Sequence, residues 1–165
     1  MDDLARRIRD AGTALSGFRE ALVAGEPWPL SEHWGTEPEA DWGPREVLAH
    51  VDEMLPYWRE QLTEVIAADP TTAAPFGRIA SDPARLARID AARQIPTGEI
   101  LDAIAGGLAD AAAFAAGPGA TNGDRRGLHP SRGEITVRDS IERFLVSHLE
   151  DHVEQLRSIL GRPRT

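Results

Sequence analysis

Residues 136–161, TVRDSIERFLVSHLEDHVEQLRSILG, carry both ends of a helix and two side chains that do not belong on its buried face. Thr136, with Asp139 three residues later, approximates a capping box, and Gly161 followed by Pro163 closes the segment. Between these ends Ile141, Phe144, Leu145, Leu149, Leu156 and Ile159 form one apolar stripe at helical spacing. His148 and His152 are four apart, so they stack on one face. At about 100° per residue they fall inside that stripe.

Three more long helices follow from the same periodicity. Over 2–24, Leu4, Ile8, Ala11, Leu15, Phe18 and Leu22 alternate by four and three, and Gly25 ends the run. A second helix begins at Gly43-Pro44, with Glu46 in its first turn near the positive end of the helix dipole. Leu48, Val51, Leu55, Trp58, Leu62 and Val65 form its seam, and Asp69-Pro70 stops it. The unchanged spacing across Pro56 predicts a kink rather than a break. A short helix is expected from Asp82-Pro83 to about Ala92. A third long one follows, capped by Thr97 and ended by Gly117, in which Gly106-Gly107 would let a neighbour approach closely. Residues 26–42, with Trp28, Trp34 and Trp42, read as an ordered loop over the core, and 117–135 as a long connection. No strand shows a period-two run. The expected fold is all-α: a four-helix bundle in a single domain over 1–165, with long loops after helices one and three and a short extra helix.

Composition narrows the function. The 18 basic and 27 acidic residues give a net charge of -9, which repels phosphate backbones and anionic membranes, so neither nucleic acid nor membrane is an expected partner. No apolar run reads as a membrane span and the N-terminus is not a signal peptide, so a cytoplasmic location is expected. The chain has no cysteine, which excludes disulfides, cysteine-ligated metal and a thiol nucleophile of its own. Every basic residue is arginine and alanine is abundant, the codon signature of a GC-rich genome. Nucleotide-binding and serine-hydrolase motifs are lacking.

The five histidines carry the chemistry. Two imidazoles in an apolar stripe bring polar groups that each cost on the order of 1 to 3 kcal/mol if unsatisfied. One solution is a divalent ion held by His148 and His152, with His50 of the second helix as a third ligand. The other is a hydrogen-bonded core pair, satisfied by carbonyls or by Glu46, Asp52, Glu150 or Asp151. His33 and His129 lie in polar loops and read as surface residues. Arg125, Arg126 and Arg132 read as solvated charges or as a clamp for a carboxylate or phosphate.

Residues 42–50, WGPREVLAH, resemble the W-[ST]-x-x-E-x-L-x-H segment of the DinB/YfiT-like proteins, and 147–152, SHLEDH, resemble their C-terminal H-x-x-x-H. The resemblance extends over nearly the whole chain in length, helix order and loop placement. It implies a four-helix bundle with a divalent metal, zinc, nickel or iron, held by His50, His148 and His152. The family includes mycothiol-dependent maleylpyruvate isomerase and the mycothiol or bacillithiol S-transferases, and a GC-rich genome makes mycothiol the natural co-substrate. Gly43 replaces the usual hydroxyl cap. The isomerase branch carries an acidic ligand where this chain has His148, and a further C-terminal domain, so the resemblance points to the transferases.

The expected function is therefore metal-dependent transfer of a low-molecular-weight thiol to a small electrophile, with a homodimer as the expected assembly. Three other readings stand beside it: a metal-binding protein without turnover, which requires a fourth ligand or an occluded site; a metal-dependent hydrolase; and a structural homodimer with hydrogen-bonded histidines. Loss of metal is expected as pH falls through about 6, where protons compete for imidazole nitrogens.

Overall fold

The helix expected over 2–24 forms as α1 (Asp2–Ala24), in a computed structural model that describes residues 2–162. Pro163, expected to close the last helix, lies outside the described residues. The fold is mainly helical. After a 3-10 turn (Glu39–Asp41), α2 (Pro44–Ala67) starts with Gly43 as an extended cap and runs through Pro56 to end just before Asp69. α3 (Pro83–Ala92) is capped by Asp82, whose side chain accepts from the Arg85 N–H at 3.0 Å. α4 (Thr97–Ala116) is capped differently from the expectation. Pro96 holds the cap position, and Thr97, already helical, donates its N–H to Glu26 Oε1 at 2.8 Å.

α4 packs against α1 and α2, and α7 (His148–Leu160) against the same two helices, around a core that includes Ile8, Leu15, Leu55, Ile104, Leu145 and Leu149. Of the two adjacent glycines, Gly107 is the one that matters. A Cβ there would stand 3.2 Å from Leu55, whereas Gly106 faces open space. Residues 97–121, α4 with the short α5 (Pro118–Thr121), are long and apolar enough to cross a membrane by composition, at mean hydropathy 1.4. The packing of α4 on α1 and α2 is that of a core helix.

The connection expected over 117–135 contains strands too short for a period-two pattern to register. β1 (Ala74–Pro75) pairs parallel with β2 (Arg126–His129), which pairs antiparallel with β3 (Gly133–Thr136). Alternation in β2 buries Gly127 and His129. His129 is thus a buried residue, not a surface one.

The last helix departs most from regularity. α6 (Val137–Ser140) gives way to a π-helical segment, Ile141–Ser147, before α7 begins at His148. The Thr136 cap is real, its hydroxyl accepting from the Asp139 N–H at 3.0 Å. A π segment is wound by i→i+5 hydrogen bonding in place of the i→i+4 pattern of an ordinary turn. Ile141, Leu145 and Val146 are buried there, while Phe144, expected in the stripe, is only partly so.

Candidate metal centre

Trp42, Glu46 and His50 are spaced by four and form one row leading into α2. Glu46, fully buried, accepts from the Ser31 N–H at 3.0 Å and from Arg93 Nη1 at 2.9 Å, which ties the tryptophan loop and the end of α3 to the helix start. Trp42 packs edge-on to the His50 ring at 5.7 Å. His50 is thereby walled in by the loop, and it points toward α7.

There it meets both other histidines. His50 Nε2 lies 2.8 Å from His148 Nε2, and His148 Nε2 lies 3.1 Å from His152 Nε2. His50 and His152 are buried, while the side chain of His148 keeps 32% exposure. The sequence placed both α7 histidines in the buried stripe. His152 lies inside, while His148, one turn earlier on α7, stands at a cavity wall.

A fourth donor comes from a residue that the sequence pattern does not single out. Glu39, in the 3-10 turn, brings Oε2 to 3.4 Å from His148 Nε2, 3.9 Å from His50 Nε2 and 4.0 Å from His152 Nε2. One ligand atom from each of Glu39, His50, His148 and His152 fits within a 4.8 Å span. Bonds of about 2.0 to 2.1 Å to a tetrahedral zinc imply ligand-to-ligand edges of about 3.3 Å. These five donor–donor separations, 2.8 to 4.0 Å, bracket that length.

The protons also fit a cation. His152 Nδ1 lies 3.0 Å from Gln155 Oε1, and the Gln155 amide nitrogen donates to the carbonyls of Glu39 (2.8 Å), Trp42 (3.2 Å) and Ala40 (3.3 Å). Those three acceptors fix the amide orientation, so Oε1 must accept from Nδ1–H, and Nε2 of neutral His152 turns a lone pair to the centre. Gln155 therefore holds both a prospective ligand and the turn that carries Glu39. Such outer partners orient imidazole ligands. Glu53, one turn after His50, places Oε2 3.9 Å from His50 Nδ1 and pairs with Arg78 at 2.5 Å.

Burial dominates the titration of the three rings. It pushes His50 well below the usual imidazole value, reinforced by the charges of His152 and Arg85. It pushes His148 to about 4, with His152 adding and Glu39 opposing. His152 is lowered as well, against the Gln155 hydrogen bond and Glu39. All three are consequently neutral near pH 7, the form that binds metals. Arg85, buried and in ion-pair contact with Glu39, lies 3.4 Å from both ring nitrogens of His50. Its charge opposes a cation at the centre, and the Glu39 carboxylate, placed between them, offsets that repulsion.

The remaining sequence candidates separate. His33 is exposed. Arg125 donates to the carbonyls of Val65 (3.1 Å) and Ala68 (2.6 Å), closing the end of α2, and Arg126 pairs with Glu134 at the surface. Arg132 stands beside the cluster's cavity. Glu39 had no sequence signal beyond membership of the tryptophan loop. Gln155 had a faint one, a polar side chain at i+3 from a histidine on the buried face. The chain matches no family model, no curated protein and no solved structure.

Proposed function

We propose that this chain is a DinB/YfiT-like four-helix-bundle enzyme that transfers a low-molecular-weight thiol, of mycothiol type, to a small electrophile. The observation that carries the reading is the convergence of three neutral imidazole nitrogens from two helices on one point, with Glu39 as a fourth donor. His50, His148 and His152 would hold a divalent ion, zinc, nickel or iron. When bound, such an ion supplies a Lewis acid that favours the thiolate form of a thiol at neutral pH.

The chain's own residues do the rest. Gln155 keeps the His152 lone pair directed inward, and Trp42 and Arg85 wall off His50 from water. The partly exposed His148 and Glu39 border a cavity of about 570 Å3, through which both reactants would enter. Because the chain has no cysteine, the thiol must arrive as a second substrate.

Glu39 favours one other reading, a metal-binding protein without turnover, since a carboxylate in the fourth position closes the site. The two differ in an assay of zinc-loaded protein with mycothiol and a chlorodinitrobenzene electrophile, in which thiolate displaces chloride. Turnover that His152→Ala abolishes supports the transferase. Equal rates with the variant, or no rate above the thiol alone, leave the binding protein.

A further inference from the structure

The cavity that touches the imidazole cluster carries a charge opposite to that of the chain. Four guanidinium groups line it in a protein of net charge -9. Arg78 is paired with Glu53, and Arg85 with Glu39. The guanidinium groups of Arg132 and Arg143 have no ion pair or hydrogen bond among the described residues. Asp151 is a further carboxylate on the same wall, so the unpaired charges of the lining still sum to one positive, before any cation is counted. In a recess with low-dielectric walls such an excess concentrates anions against the field of the whole molecule.

The wall between these arginines and the cluster is aromatic. Phe144 stacks on Trp58 with centroids 4.2 Å apart and planes at 8°, and His129 stacks on Phe144 at 5.1 Å and 22°. The Arg132 guanidinium lies 5.8 Å from the Phe144 ring centre. Phe144 in turn sits four residues before His148 and Arg143 five before it, on the π segment that turns both toward the cavity. Arg143 is thus little more than one helical turn, about 5.4 Å of rise, ahead of His148 along the chain, while Arg132 reaches the same cavity from the turn between β2 and β3.

We propose that Arg132 and Arg143 form an anion subsite for a small organic acid, either a carboxylate or a phosphate ester. Its apolar body would lie on the Phe144 wall and its other end would reach toward His148. Two arginines hold an oxyanion by charge and by forked hydrogen bonds, and their exposure lets them close on ligands of either geometry. That the far end is a reacting atom rests on the metal-centre reading above; the anion subsite itself does not.

Calorimetric titration at low ionic strength with benzoate and phenyl phosphate, and with neutral benzamide as control, separates the two claims. It would be run on zinc-loaded protein, on metal-free protein and on the zinc-loaded Arg132→Gln/Arg143→Gln double variant, each with its zinc content measured. Both arginines are exposed, and an Arg126→Gln control reports loss of charge away from the cavity. The expected result is that one or both anions bind, at least about ten-fold more tightly than benzamide, and that the double variant loses at least about ten-fold while keeping its zinc. Metal-free protein should bind within about three-fold of the loaded form. The tighter of benzoate and phenyl phosphate identifies the acid. Unchanged affinity in the double variant, equal binding of benzamide, or anion binding lost only when zinc is removed would overturn the subsite. A wild-type protein that retains no zinc would instead overturn the metal-centre reading, and the metal-free titration would still decide the subsite.

Discussion

Replacing Gln155 with leucine, and separately with glutamate, distinguishes the role of its acceptor from that of its donors. The leucine variant leaves the His152 Nδ1–H, on a residue 4% exposed, without its partner at 3.0 Å. It also removes the amide that binds the carbonyls of Glu39, Ala40 and Trp42. A buried N–H left unpaired costs about 1 to 3 kcal/mol, whereas carbonyls on the exposed turn can turn to water and cost less. A loss of about 2 kcal/mol lowers the melting temperature of a chain this size by about 4 to 8 °C. Because the freed ring can rotate or change tautomer, zinc affinity should fall about 10- to 100-fold. Gln155→Glu keeps an acceptor for Nδ1–H and loses the amide donors. It should therefore melt lower than the parent while binding zinc within a few-fold of it. Thermal melts of metal-free protein and competition with a chromophoric chelator measure the two effects. Wild-type zinc affinity in Gln155→Leu would refute the orienting role, and a glutamate variant as weak as the leucine one would assign the effect to the loop instead.

Other consequences follow from the same contacts. The depressed imidazole values mean that the unfolded chain takes up protons first, so metal-free protein should keep full stability above the unfolded value of about 6.5. It should then lose stability as pH falls from there toward the folded value of about 4 at His148. The melting temperature measured between pH 7 and 4.5 checks this, and a flat profile contradicts it. Burial likewise moves zinc release below the pH of about 6 expected for ordinary histidines, which equilibrium dialysis across pH 4 to 7 reads directly. Gly77, at φ +79, would bring a Cβ to 2.5 Å from His129, so Gly77→Ala should destabilise by more than about 1 kcal/mol in urea unfolding. Arg93→Met strands the buried Glu46 carboxylate and should cost about 3 to 5 kcal/mol by the same assay, with an unchanged denaturant slope.

The helices were legible because each long one is written by a local repeat and its own stop residues. The ends of α1, α2 and α3 fall where Gly25, Gly43-Pro44, Asp69-Pro70 and Asp82-Pro83 put them. The strands were not, since two- and four-residue segments carry too few side chains to show alternation, and His129 was misplaced with them. The π segment escaped for a different reason. No residue in Ile141–Ser147 marks a departure from a regular helix, so nothing in the local sequence signals the wider turn. His50, His148 and His152 could be singled out by type and spacing, and the structure brings their Nε2 atoms together. Arg132 reads in sequence with Arg125 and Arg126 as solvated charge or anion clamp, and only the structure separates it from them at the cavity. Glu39, Arg85 and Arg143 could not be singled out, because their roles depend on non-local contacts.

Whether these three imidazoles share one ion can be read from zinc-edge X-ray absorption of protein loaded with one equivalent and freed of unbound metal. Zinc should be retained at one per chain, with nitrogen and oxygen neighbours at about 2.0 to 2.1 Å and outer-shell scattering from three imidazole rings. Zinc lost during gel filtration, or a spectrum with fewer than three rings around the ion, would contradict a shared ion.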